Sequence, residues 1–400
     1  MTYKTRFYTL LSMAHVRKRH ILDQLSNLSS FWPVVGVLGL RQSGKSTLFK
    51  NFLGLHNQVT LDDEDVADEI KLSAKNFLSK QGIPLVIDEV QKAPILFDAI
   101  KFAVDKKRLP GSYFLTGSSQ FSSKIGIRES LTGRIALLNL HPFTLSEAFS
   151  KEFQSARAQP FHGLKPRFKM EDLMPQVSLG GLPVPLFTRE TIHREHYFKA
   201  WLETSVFRDA ARAYGSAYDP ELAWSILRQM GQALREGEFP TLSHFKQESR
   251  KLRRYLQAFA DIFLVRKIAC HEAGVGHEVW MPTDSGLCGE LMEKKNGEGA
   301  ALSFARVFLM NEISATNEYS GIRIQPVYYK TSRGAPVDLV WGDTILKVSV
   351  SKVSSQAYDE RPLLAAMKKI GCQRAILTVP REGIELKKNG LNVLPWTYWS

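Results

Sequence analysis

The run Gly39-Leu40-Arg41-Gln42-Ser43-Gly44-Lys45-Ser46 constrains this chain more than any other feature. Two glycines bracket a short loop that ends in Lys and Ser. Such a backbone curls its N–H groups around phosphate oxygens at the positive end of a helix. The flanks agree: residues 34–38 are an apolar strand candidate, and Thr47 opens a helical run over 47–53. Gly39, Arg41, Gln42, Ser43, Gly44 and Thr47 are therefore expected around the phosphates. Lys45 supplies a charge between the β- and γ-phosphates, and the Ser46 hydroxyl is a ligand for Mg²⁺. ATP and Mg²⁺ are the expected ligands.

Two further strand ends carry matching chemistry. Pro84-Leu85-Val86-Ile87 runs into Asp88-Glu89. There Asp88 is expected to hold Mg²⁺ through a water, and Glu89 to orient or deprotonate the attacking water. Tyr113-Phe114-Leu115 ends in Thr116-Gly117-Ser118-Ser119, which offers the Thr116 and Ser118 hydroxyls to the γ-phosphate or the water. Hydrolysis also needs positive charge beside the γ-phosphate, often from an arginine of a neighbouring subunit. Arg128, Arg134 and Arg208 are the candidates.

Residues 1–150 alternate short apolar runs (34–38, 58–61, 85–87, 113–115 and 136–140) with amphipathic stretches. This is the pattern of an α/β domain on a parallel sheet. The basic N-terminus, with Lys4, Arg6, Arg17, Lys18 and Arg19, reads as the first helix. Residues 151–192, with Pro160 and Pro166 among basic residues, read as a linker or lid. Residues 193–285 read as helical. Strand-like runs at 324–329, 337–341, 345–350 and 375–379, with a helical stretch at 358–370, make 286–400 a second α/β domain.

The 53 Lys and Arg against 40 Asp and Glu leave a net charge of +13. That balance favours a polyanionic partner and by itself does not choose between nucleic acid and an acidic membrane surface. No apolar run approaches the ~18–20 residues of a membrane span, so no membrane association is expected. Cys270, Cys288 and Cys372 are far apart and odd in number, which excludes a disulfide framework and fits a reducing cytoplasm. The histidines show no His-x-x-x-His spacing, so zinc chemistry is disfavoured.

Together the loop, Leu61-Asp62-Asp63, Ile87-Asp88-Glu89-Val90-Gln91-Lys92-Ala93-Pro94, Leu115-Thr116-Gly117-Ser118 and Ser130-Leu131-Thr132-Gly133-Arg134 resemble the signatures of one family of prokaryotic AAA-superfamily ATPases. Gly180-Gly181-Leu182-Pro183 and Phe207-Arg208-Asp209 resemble its later motifs. The resemblance implies an N-terminal P-loop NTPase sheet of the AAA (ASCE) type. It also implies a winged helix in the middle and a restriction-endonuclease-like α/β fold at the end.

The residues support a winged helix on their own terms. Leu252, Tyr255, Leu256, Phe259, Ile262 and Phe263 share one helical face, while Arg250, Lys251, Arg253 and Arg254 lie on others. Helices over 223–234 and 242–248 precede it, and wing strands over 264–269 and 277–281 follow. A basic helix so presented suits duplex DNA. A protein partner remains the alternative, and monomer and homo-oligomer are equally open.

Nuclease-competent members of the family would carry a Glu on a helix, an Asp ending a strand and Glu-x-Lys on the next strand. Here Asp338 fits the Asp, but Arg306, Lys347 and Ser349 stand at the other positions. One carboxylate does not assemble a metal site for phosphodiester cleavage. The C-terminal domain is therefore expected to lack nuclease activity.

Overall fold

The computed structural model describes residues 16–120, 131–152, 166, 168–293, 295–351, 358–387 and 389–399. Lys4, Arg6, Arg128, Ser130, Pro160 and Glu129 lie outside them. The helix expected at the basic N-terminus lies mostly outside the described residues; of its stretch, residues 16–21 run as coil and turn into α1 (Leu22–Ser29).

β1 (Val34–Leu38) is buried along its whole length. Val34 and Leu38 point into one core, and Val35 and Val37 into another, as a period of two requires. A strand covered on both faces reads as a continuous apolar run. From β1 the chain passes through the glycine loop into α2 (Lys45–Phe52), then β2 (Gln58–Thr60), α3 (Glu64–Lys80), β3 (Leu85–Asp88), α4 (Ile95–Lys106), β4 (Tyr113–Gly117) and β5 (Ile135–Asn139). All pairings are parallel, in the order β2-β3-β4-β1-β5. The ends of β1, β3 and β4 therefore open on one edge. α3 and α4 cover one face, and α1 and α2 the other.

The stretch expected as a linker over 151–192 is packed in its second half. Helices Met170–Leu179 and Pro183–Phe187 bury Leu173, Val177 and Leu186, with Leu182 buried between them. Pro160 and Pro166 suggested an irregular spacer; past them, Pro183 sits at the first helical position, where its missing N–H costs nothing.

Next come α5 (Thr191–Thr204), a π-helical turn (Ser205–Ala210), α6 (Pro220–Arg235), α7 (Ser249–Asp261), the antiparallel pair β6 (Val265–Ile268) and β7 (Val279–Pro282), and α8 (Ser285–Leu291). α7 buries Leu252, Tyr255, Leu256 and Phe259, the expected face. The helix expected over 242–248 is a 3-10 turn at Leu242–His244. Thr241 is drawn extended by its bridge to Val279, and the Lys246 N–H is claimed by Gln229 Oε1 at 2.8 Å.

α9 (Glu298–Ser320) joins every layer. Ser303 Oγ donates to the Leu234 carbonyl at 2.6 Å, and Asn317 Oδ1 accepts from Trp341 Nε1 at 3.0 Å. Ala315 and Tyr319 pack in the core on the α1 and α2 face of the N-terminal sheet.

Beyond α9 lie β8 (Val327–Thr331), β9 (Gly334–Trp341), β10 (Thr344–Val348), α10 (Arg361–Ile370), β11 (Arg374–Val379), β12 (Glu385–Leu386) and β13 (Leu391–Pro395). They form a sheet ordered β12-β13-β11-β10-β9-β8, antiparallel through β8-β9-β10 and parallel through β10-β11-β13. Trp396 and Trp399 stack 4.7 Å apart and are buried.

Candidate functional site: a phosphate loop facing paired acids

The loop after β1 turns tightly against β5. A Cβ on Gly39 would stand 2.3 Å from the Leu140 carbonyl oxygen, so glycine is required there. Gly44 begins α2 at φ 98°, a left-handed backbone that glycine adopts without strain. Ser43 is buried, and its Oγ has no hydrogen-bond partner among the described residues. Lys45 is buried too, and its Nζ donates to the carbonyls of Leu40 at 2.8 Å and Gly39 at 3.0 Å. Burial pushes its pKa below the usual value, against the pull of Glu89 and Asp88.

The acids of β3 face this loop. Ser46 Oγ donates to Asp88 Oδ2 at 2.7 Å, and Thr116 Oγ1 donates to Asp88 Oδ1. Glu89 adopts φ 58° and ψ 39°, unusual for a residue with a side chain. Its Oε2 accepts from Ser118 Oγ at 2.8 Å and from Gln91 Nε2. Six expected residues, Lys45, Ser46, Asp88, Glu89, Thr116 and Ser118, are thus brought together by the ends of three neighbouring strands. This edge opens into a cleft of about 1930 Å³, which Arg41, Gln42, Gly44 and Thr47 also line.

The far wall belongs to the middle of the chain. Arg208 lines the cleft, and its Nε lies 2.8 Å from Asp209 Oδ1. Asp209 Oδ2 is 3.4 Å from Arg41 Nη1, and Tyr197 OH donates to Gln42 Oε1 at 2.7 Å. A π-helical turn carries this Arg-Asp pair, and such bulges recur at functional sites. Arg212, one turn on, also lines the cleft.

Arg134 is not brought to the cleft. It precedes β5, whose first residue pairs with the first residue of β1, so a full strand separates it from the loop. There it grips Asp105 through two contacts of 2.6 and 2.8 Å. Within one chain Arg134 therefore does not reach its own γ-phosphate position, because the carboxylate that holds it lies at the opposite edge of the sheet.

All four basic residues on α7 are exposed. Arg253 pairs with Glu278, and the Arg254 guanidinium lies 4.5 Å from the Tyr214 ring centroid. None of them lines the cleft, but Gln257 and Asp261 at the other end of α7 do. The Asp261 carbonyl accepts from the Gln120 N–H at 2.7 Å.

In the C-terminal sheet Asp338 is enclosed by Arg306 at 2.6 Å and Lys347 at 3.3 Å, and its Oδ2 accepts from the Val348 N–H at 2.7 Å. Burial favours the protonated acid, but Arg306 and Lys347 outweigh it and hold the carboxyl below its usual range. No cluster of three or more His, Cys, Asp or Glu suited to a metal occurs among the described residues. Nor is any described helix long and apolar enough to cross a membrane.

Sequence reasoning missed Arg19 and Gln91. The Arg19 guanidinium is buried and donates to the Ser43 carbonyl at 2.8 Å, the His141 carbonyl at 2.6 Å and Glu147 Oε1 at 3.1 Å. It braces the loop from a segment that reads as ordinary basic N-terminus. Gln91 stood inside a quoted motif, but no local pattern marks an amide for service to a carboxylate.

Residues 32–149 match the family model described as an AAA domain. Uncharacterized proteins of Mycobacterium tuberculosis and Mycobacterium bovis are each 26% identical over 275 residues, covering 66% of this chain. The chain spans 56% of the length of those relatives. A Walker-type ATPase of Pyrococcus abyssi superposes with a TM-score of 0.45 at 14% identity, over 69% of this chain and 96% of the other. The stretch that matches the AAA domain model contains the phosphate loop and the ends of β3 and β4.

Proposed function

We propose that this AAA-type chain is a Mg²⁺-dependent ATPase of the cytoplasm whose nucleotide cleft governs a DNA-binding middle region. The observation that carries the reading is the convergence of Ser46, Asp88 and Glu89 on a complete phosphate loop. A hydroxyl and a carboxylate 2.7 Å apart are hard oxygen donors of the kind Mg²⁺ takes, so Ser46 and Asp88 would hold it. The ion would neutralise charge on the β- and γ-oxygens.

The loop N–H groups bind the phosphates, and Lys45 exchanges the Gly39 and Leu40 carbonyls for phosphate oxygens. Water then adds through its oxygen to the γ-phosphorus as the bond to the β–γ bridging oxygen breaks. The electron pair stays on ADP, and the water proton passes to Glu89. Arg208 faces this charge from across the cleft.

Two features support control of DNA binding. α7 carries exposed Arg250 and Lys251 near one end and meets the cleft at the other. The helix, bridged strand and antiparallel pair follow the order of a winged helix. A second reading, an ATP-dependent protein-interaction module, draws support from the prior engagement of Arg253 and Arg254. For the C-terminal sheet, Arg306 on α9, Asp338 on β9 and Lys347 on β10 support a restriction-endonuclease-like fold without nuclease activity.

ATP affinity and turnover, with and without duplex DNA over a salt series, test the proposal. Lys45→Ala should weaken ATP binding at least about tenfold, a loss of ~1.4 kcal/mol. Unchanged affinity in a folded variant overturns the nucleotide site. Turnover indifferent to DNA at low salt favours the second reading.

A further inference from the structure

Gln91 lies two residues beyond Glu89, in the 3-10 turn Val90–Lys92 that follows β3. The left-handed backbone at Glu89 reverses the chain there, and the two side chains meet. Gln91 Nε2 donates to Glu89 Oε2 and lies 3.3 Å from Ser118 Oγ, which itself donates to the same carboxylate oxygen. Because a carboxylate oxygen only accepts, the amide must present its nitrogen to Glu89. The orientation of the amide is thereby settled, and its Oε1 is left buried without a hydrogen-bond partner among the described residues.

A buried carbonyl oxygen with no partner costs stability. A residue kept for packing would not carry that cost, since an apolar side chain of similar length would fill the space without it. What the glutamine alone contributes is the Nε2–H that, together with Ser118, pins Oε2 of Glu89. The other carboxylate oxygen is then the one free to face water in the cleft.

We propose that Gln91 is a positioning residue for hydrolysis, holding the Glu89 carboxylate in the pose that accepts the water proton. The inference rests on the ATPase reading above. It separates two quantities that usually move together: loss of Gln91 lowers the rate of the chemical step while leaving the fold as stable as before or more so.

The test uses Gln91→Leu and Gln91→Met in the full chain, which remove the donor and the orphaned acceptor together. Measured quantities are kcat, ATP affinity and the thermal midpoint, with wild type and Glu89→Gln alongside. The expected result is a fall in kcat of about a hundredfold, the scale of a misplaced catalytic group. ATP affinity should be unchanged and the midpoint equal or higher. A kcat at the wild-type level overturns the proposal. So does a fall in kcat that tracks a lowered midpoint or weakened ATP binding, since that marks a structural role. If wild type itself shows no turnover, the ATPase reading falls and this inference with it. Turnover in wild type with full activity in Gln91→Leu sinks the inference alone.

Discussion

Arg306 Nη2 stands 2.6 Å from Asp338 Oδ1, and both side chains are buried. On the endonuclease-like reading proposed above, the pair would stand where such an enzyme holds its metal, with the positive charge of Arg306 and Lys347 beside Asp338 in place of a cation. Removing one partner leaves the other buried and uncompensated. Asp338→Ala should therefore destabilise the protein by about 3–5 kcal/mol in denaturant unfolding. Purified wild type should leave DNA uncut with Mg²⁺ or Mn²⁺. Cleavage that disappears in Asp338→Ala would restore a nuclease.

Glu89→Gln separates binding from chemistry. An amide cannot take a proton from water at neutral pH, so turnover should drop by about 10²–10⁴, with ATP affinity retained. Wild-type turnover in this variant would remove Glu89 from its role as base.

The contacts of α7 divide its four cations. All four are exposed, but Arg253 already pairs with Glu278 and Arg254 lies over the Tyr214 ring. If α7 grips duplex DNA, replacing Arg250 and Lys251 by Ala should reduce the slope of log affinity against log salt by about 1.8, two phosphate contacts at ~0.9 each. Arg253→Ala should change the slope less. An equal slope in the double variant places the helix away from DNA.

Glu312 on α9 accepts from the Leu145 N–H at 2.8 Å, and burial pushes its carboxyl up to about 8, with Glu147 adding to the rise. The folded chain thus keeps a proton that the unfolded chain releases near the ordinary glutamate value. Unfolded-state proton binding is the smaller between about pH 4.5 and 8, so this group's stabilisation falls as pH rises through that window. Glu312→Gln should match wild type most closely near pH 4.5 and surpass it in thermal midpoint at pH 8–9. A variant whose midpoint parallels wild type across the range would contradict the buried proton.

Contiguous signals were legible in the sequence. The glycine loop, the apolar strand before it and the acids ending β3 lie in short unbroken runs, and local backbone requirements dictate their residue types. α7 was visible because Leu252, Tyr255, Leu256 and Phe259 repeat at helical spacing. Partnerships between distant segments were not. Nothing near Arg134 announces Asp105, and nothing near Arg19 announces Ser43 or Glu147. The choice among arginines for the cleft, the bracing of the loop from upstream and the passage of α9 through every layer depend on which faces bury against one another. Periodicity sets what an element is and which face is apolar. The pairing of those faces is a property of the assembled core, and it decides where each charged side chain ends.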